Sequence, residues 1–428
     1  MRPTIDLVSR TSRLLRLLRT GLLGALSAVG AIACGGSDSP TGPGTPGTPA
    51  TPVSPVAVTA YVDSALTFAQ TYFYYGDRIN WPALRQRTFA RAAGAQTFRE
   101  TYPAIDTLAR ELNDPHSFFY RPSETLGNRE DPSGPLYTPI SAVIAPKIGY
   151  LWLTSFGGTN GPARADTLQR LIAEADSLAG GACGWIIDQR ANVGGFWPVM
   201  LAGISPLVTP GLVGGFAERD ERYAYFYYVG AGVAGLQEGT NGARFEYITT
   251  PRRYQLQRPN PPVALLQGRF TASAGEIVAM AFKENTRAVR AFGGPTSGVT
   301  TQPYTYRMRD TASLQITAAI MFDRLGQDYD GGAIPPDQAA DGSGIFGSFT
   351  SSFRPGTRGE DVVESAITWL QSRAECQGAV AADPGALPTT RGVWQGVIPT
   401  PGARPATDWP KGKPTPWSAA PGPRRDLR

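Results

Sequence analysis

One serine, one histidine and a pair of glycines are the residues of this chain whose types and settings point to chemistry. Ser273 lies in Phe270-Thr-Ala-Ser-Ala-Gly-Glu276, between an apolar run at Val263–Leu266 and a helical stretch at Ile277–Lys283. That order puts its hydroxyl at a strand-to-helix turn, beside the N–H groups of a helix N-terminus. Such N–H groups are the donors an acyl-transfer enzyme needs for a tetrahedral oxyanion. The same Ser-x-x-Glu spacing is also a capping box, in which Ser273 caps the helix and Glu276 reaches back. Gly194 and Gly195 close the turn that follows a second apolar strand, and bare backbone there lets an N–H approach a ligand closely. Together with the N–H of Ala274 it would make a two-donor oxyanion hole. A tight turn that simply needs glycine accounts for the pair equally well.

A serine nucleophile needs a base. The chain has four lysines, at 147, 283, 411 and 413. Lys283 lies ten residues along the serine's own helix, about 280° around it at 100° per residue, and points elsewhere. Lys147 precedes a strand at the wrong end, and the other two sit near the chain's end. His116, the single histidine, remains. A lone histidine is more often a packed or capping residue. Here Asn113-Asp-Pro-His116 breaks a helix and sets the ring on a loop ahead of Phe118-Phe-Tyr120. A histidine base implies activity that rises as pH passes about 6–7. With one histidine and two thiols beyond the leader, a zinc site of the usual ligands is hard to build. No metal or cofactor is expected.

The elements that must position these residues are helical first and α/β afterwards. Val58, Tyr61, Val62, Ala65, Ala69 and Tyr72 recur at helical steps, as do Ile105, Leu108, Ala109 and Leu112. Asn80-Trp-Pro82 starts a helix between them. Ile148–Thr154 and Trp185–Asp188 read as strands apolar on both faces, with a helix between. Residues 211–260 read as short strands and loops. Strand 263–266, helix 273–284 and strand 288–292 continue the order, Tyr304–Thr317 alternates like a hairpin, and Asp361–Gln371 is a closing helix. Open α/β sheets place ligands beyond the carboxyl ends of their strands. The loops Asp188–Gly195 and Gly268–Ser273 would then share one edge if their strands are neighbours.

The ends are of another kind. Residues 1–34 combine five arginines, a short apolar run and the small residues Ala31-Ile-Ala before Cys34. This is the pattern of a secretory leader with a lipobox-like cut, implying lipidation of Cys34 and a bacterial cell-envelope location facing the periplasm or exterior. Ala31 stands where leucine is more usual, so plain secretion stays open. Residues 35–55 form a Pro/Gly/Thr-rich linker, and 376–428 a Pro/Arg-rich tail. Residues 1–33 and 385–428 carry about +4 and +5 of a total of +5, leaving the rest at about −4. That is an ordinary surface, and no nucleic-acid partner is implied. Cys183 and Cys376 can pair in an oxidising compartment, although sequence sets no distance between them.

Five segments in order resemble the tail-specific, or C-terminal processing, serine peptidases. They are Leu112-Asn-Asp-Pro-His-Ser117, Ile148-Gly-Tyr-Leu151, Ile187-Asp-Gln-Arg-Ala-Asn-Val-Gly-Gly195, Thr271-Ala-Ser-Ala-Gly-Glu276 and Gly332-Ala-Ile-Pro-Pro-Asp337. The resemblance covers about residues 57–375. It implies an α/β, crotonase-like (ClpP-like) core over 148–375, an N-terminal helical domain over 56–122 and a linker or flap over 123–147. Two departures matter. Val299 stands where many members carry a catalytic lysine, and the gap between His116 and Ile148 is too short for a PDZ domain. Both point to the branch resembling the nisin resistance protein and the tricorn core, in which serine pairs with a histidine. The likeness implies Ser273 as nucleophile, His116 as base, and Gly195 with Ala274 as oxyanion donors. Glu276 is the first candidate to orient the imidazole, ahead of Ser117, Asp328 and Asp330. The expected substrate is a peptide or a protein C-terminal region, and the expected membrane contact is the lipid at Cys34. The alternative is an inactive member binding an apolar ligand or peptide. The retinoid-binding modules of the vertebrate retina resemble these peptidases, and Tyr72–Tyr75, Phe118–Tyr120 and Tyr223–Tyr228 are candidate pocket linings.

Overall fold

The computed structural model describes residues 52–122, 138–157, 160–219, 225–283, 287–342 and 360–377. The leader, Cys34, most of the linker, residues 123–137 of the expected flap and the tail from 378 lie outside the described residues.

Three helices come first: α1 (Pro55–Tyr72), α2 (Trp81–Arg91) and α3 (Tyr102–Glu111). The side chains of Ser54 and Asn80 accept from Ala57 N and Ala83 N at 3.2 and 3.1 Å, and a proline opens each helix at its first or second position. A residue with a fixed helical φ and no N–H loses nothing there. The buried faces, including Val62, Leu66, Ile105 and Leu108, pack with Leu314 and Ile316 of a distant strand. Asp310 fastens the arrangement by accepting from the hydroxyls of Tyr61 and Tyr102 at 2.9 and 2.7 Å. The helical segment therefore shares its core with a sheet.

That sheet is antiparallel and has seven strands: β1 (Phe118–Tyr120), β5 (Gly211–Glu218), β6 (Tyr225–Gly230), β7 (Val233–Glu238), β8 (Arg244–Thr249), β11 (Thr301–Arg307) and β12 (Ser313–Asp323). Its order is β1-β12-β5-β6-β7-β8, with β11 also paired to β12. The span expected to hold short strands and loops is thus a four-stranded meander. The expected hairpin over 304–317 is the β11–β12 pair, with Tyr304 opposite Ile316.

The second sheet contains β2 (Ile140–Ala145), β3 (Ile148–Trp152), β4 (Gly184–Asp188), β9 (Val263–Gln267), β10 (Val289–Gly293) and β13 (Gln338–Ala339), in the order β13-β10-β9-β4-β3-β2. All its pairings are parallel except β2–β3. Every residue of β3, β4 and β9 is buried, as a sheet covered on both faces requires. Trp185, Ile187 and Leu265 face helices α4 (Gly161–Leu178), α5 (Trp197–Gly203) and α6 (Ala274–Ala281). Tyr150, Ile186 and Leu266 face α7 (Asp361–Gln371). Cys183 and Cys376 are joined by a disulfide that ties the start of β4 to the turn after α7. The two strands that lead to Gly194 and Ser273 are parallel neighbours, with Ile187 opposite Leu265.

The aromatic groups considered for an apolar pocket are divided between cores. Phe73 and Phe119 pack among the helices, whereas Tyr227 belongs to the core under the parallel sheet. Tyr223 lies outside the described residues.

Candidate active site

Ser273 is the last residue before α6 and has φ 52° and ψ −116°. A non-glycine residue rarely holds that backbone, which costs roughly 1–3 kcal/mol and persists only where neighbours over-determine it. Here they do. Glu276 Oε2 accepts from Ser273 N–H at 2.8 Å and from Val299 N–H at 2.9 Å. Glu276 Oε1 accepts from the Thr296 hydroxyl at 2.6 Å and from Gly298 N–H at 2.9 Å. Burial pushes this carboxyl up to about 7 against the pull of those four donors. The half-buried Ser273 side chain is turned toward the ring of His116, with Oγ 3.3 Å from Nε2.

His116 reaches that position from the loop between α3 and β1. Helix α3 stops at Asn113, whose φ of 51° gives the left-handed turn that ends many helices. Pro115 then precludes further helix. Asp114 Oδ2 holds the loop by accepting from His116 N–H at 3.2 Å and from the Ser117 hydroxyl at 2.6 Å. Phe118 next enters β1 opposite Gln315 of β12. His116 is 7 % exposed. Its Nδ1 lies 2.8 Å from Thr301 Oγ1, at the first residue of β11.

Glu276 is not the group on the imidazole. At three residues beyond Ser273 its carboxylate lies over the amides of its own helix start and the 296–299 turn, and it is spent there. Ser117 bonds Asp114 and receives Thr317 N–H at 3.1 Å. Asp328 accepts from Asp330 N–H at 3.2 Å. Thr301 occupies the place assigned to an acid. Sequence reasoning passed over it because a threonine opening a strand reads as an ordinary strand former. Val299 is buried, and Lys283 pairs with Asp337 at 3.2 Å.

The turn after β4 is knitted to the serine's turn. Asn192 O accepts from Ala272 N–H at 3.0 Å, and the Thr271 hydroxyl donates to Gln189 O at 3.0 Å. A Cβ at Gly275 would stand 2.6 Å from Asn192 O, so glycine permits the approach. Beneath it Arg190 grips Asp188 through Nε and Nη2 at 2.9 and 2.6 Å and Glu360 through Nη1 at 2.6 Å. Tyr150 also donates to Asp188, at 2.8 Å. A fully buried arginine is tolerable only with its charge matched in this way.

The three expected oxyanion residues separate into two kinds. The Gly194 N–H donates to Asn192 Oδ1 at 3.0 Å, so it is not a free donor. Its backbone instead packs against the serine, with Ser273 Cβ and Ala274 N only 2.9 and 3.0 Å from where a Cβ would stand. Gly195 is exposed, and its N–H and that of Ala274 have no hydrogen-bond partner among the described residues. Two N–H groups without partners, in the turns that meet at Ser273, are the kind of donor that can receive a carbonyl oxygen as it becomes negative.

Burial lowers the His116 ring to about 4, with the bond to Thr301 opposing. A base must be neutral to accept the serine proton, and lowering the pH through that value protonates it. The acid limb of kcat/KM is therefore expected near pH 4, well below the 6–7 of an ordinary imidazole. A pH series on a peptide substrate, with the fold followed by circular dichroism, checks this; a midpoint at 6–7 would contradict it.

Residues 147–340 match the model of Peptidase family S41. The nisin-resistance protein of Lactococcus lactis subsp. lactis is 26% identical over 279 residues, which cover 65% of this chain and 81% of that protein. The chloroplastic carboxyl-terminal-processing peptidase 2 of Arabidopsis thaliana is 27% identical over 199 residues, covering 46% of this chain but 33% of its own length. A solved structure titled as a lipoprotein from Streptococcus agalactiae aligns with a TM-score of 0.56 at 20% identity, over 74% of this chain and 96% of that one. That last likeness is one of fold.

Proposed function

We propose, from the match of residues 147–340 to the model of Peptidase family S41 and the geometry around Ser273, that this protein is an extracytoplasmic serine endopeptidase. Its substrates are peptides or the C-terminal regions of proteins. Ser273 attacks the scissile carbonyl while His116 Nε2 takes its proton, and the imidazolium then protonates the leaving amine. The N–H groups of Gly195 and Ala274 hold the oxyanion. Hydrolysis of the acyl-enzyme repeats the sequence with water as nucleophile. The observation that carries this reading is the 3.3 Å contact between Ser273 Oγ and His116 Nε2, made from a strained serine at a helix N-terminus.

The location is argued from chemistry at both ends of the protein. The disulfide between Cys183 and Cys376 suits an oxidising compartment. The leader and Cys34 fit export and lipidation, and the similar S. agalactiae protein is described as a lipoprotein. Detergent phase partition tests the anchor. Wild type is expected in the detergent phase and Cys34→Ser in the aqueous phase or unprocessed; a free mature form starting beyond Cys34 would end the claim. Cleavage is tested by incubating the purified protein with a mixed peptide library and reading new termini by mass spectrometry. Internal cuts that disappear in Ser273→Ala are expected, and an untouched library would contradict the endopeptidase reading.

A further inference from the structure

We propose that Thr301, Thr317 and Asp114 form a hydroxyl relay that fixes the tautomer of His116. For its effect on turnover this rests on the serine-peptidase reading; its geometry does not. The groups form one file. His116 Nδ1 is 2.8 Å from Thr301 Oγ1, Thr301 Oγ1 is 3.3 Å from Thr317 Oγ1, and Thr317 Oγ1 is 2.7 Å from Asp114 Oδ2. Thr301 and Thr317 are buried and sit on the paired strands β11 and β12.

Counting protons sets the direction. Asp114 Oδ2 collects donors from His116 N–H, the Ser117 hydroxyl and Thr317, the surroundings of an ionised acceptor. Thr317 therefore donates to Asp114 and has no second proton. The 2.7 Å bond to the carboxylate takes the Thr317 proton in preference to the 3.3 Å contact with Thr301, so the contact between the two hydroxyls uses the Thr301 proton, which is thereby spent. The ring must in turn donate from Nδ1 to Thr301. A neutral imidazole with its proton on Nδ1 has a bare Nε2, and Nε2 is the atom facing Ser273 Oγ. Every hydrogen bond from the serine to the carboxylate thus runs the same way. The threonines are positioning residues, and Asp114 anchors the file while holding the loop that carries the ring.

The experiment uses the single histidine of this chain. Untagged protein with 15N-labelled histidine gives one imidazole spectrum, in which the protonated nitrogen is read directly. The relay requires the proton on Nδ1 in wild type. Thr301→Val and Thr317→Val keep the shape and remove the hydroxyl. Each is expected to shift the population toward Nε2–H and to lower kcat about 10- to 100-fold, with KM within about twofold. Thr301→Ser and Thr317→Ser are expected to restore both. An Nε2–H tautomer in wild type, or valine variants with wild-type kcat, would overturn the relay. The serine-peptidase reading fails separately, if wild type shows no Ser273-dependent turnover, and the tautomer spectrum then still decides the relay. Should a valine variant not fold, the wild-type spectrum and the serine variants decide it.

Discussion

Replacing Ser273 or His116 by alanine is expected to lower kcat by about 10³-fold or more, and replacing both is expected to cost little beyond either alone. The near-equality is the informative part. A nucleophile and its base act as one unit, so once one is lost the other has nothing to do. Residual turnover is expected from the N–H groups of Gly195 and Ala274, which both variants keep. Melting temperature measured alongside separates lost chemistry from lost fold. Glu276 holds the backbone N–H of residue 273, a bond that alanine keeps, so Ser273→Ala should stay folded. Independent, multiplying losses in the double variant would show that the two side chains do not cooperate.

The second large effect is expected from Gly194→Ala. Gly194 has φ +102°, and an added Cβ would lie 2.8 Å from Ala272 O, 2.9 Å from Ser273 Cβ and 3.0 Å from Ala274 N. Two of those atoms are backbone and cannot step aside. Either the 190–195 turn or the serine must move, and a displacement of about 1 Å at a reacting atom can cost 10²-fold. A fall of at least that size in kcat/KM is expected, with a lower melting temperature. Gly294→Ala is the control. Its Cβ would meet nothing within 4 Å, so activity within about twofold of wild type is expected. Full activity in Gly194→Ala would mean that the turn is not packed against the serine as described.

The parts of this fold that sequence made legible are those whose burial is uniform. Strands β3, β4 and β9 are unbroken apolar runs, and turn residues bound the helices on either side, so their order could be read directly. The closing helix appears over the residues expected, 361–371. The antiparallel meander was not legible. Its strands are rich in glycine and tyrosine and lack clean alternation, and β5 finds its partner in β12, about a hundred residues on. Single-sequence periodicity carries no such long-range pairing.

The site divides in the same way. The nearness of His116 to Ser273 was implied by the resemblance to serine peptidases that pair the two, and the structure brings Ser273 Oγ to 3.3 Å from His116 Nε2. Glu276 was misjudged because an i+3 neighbour lies close to the serine in space. Closeness along a helix start favours the helix's own amides, and there the carboxylate went. The hydroxyl file had no signal of its own, since its members are 114, 301 and 317 in sequence and meet only because β12 pairs with both β11 and β1, the strand that follows Asp114. Asp114 alone stood in a recognisable motif.

The central claim is that Ser273 is activated by His116, and labelling by a fluorophosphonate measures it without knowledge of the substrate. The reagent needs a serine whose proton is being removed. Wild type is predicted to take up one phosphonyl group, located on Ser273 by peptide mapping, while Ser273→Ala takes up none. His116→Ala should react at least about a hundredfold more slowly. A folded wild type that stays unlabelled, or labelling at Ser273 that proceeds at an unchanged rate in His116→Ala, would contradict the account.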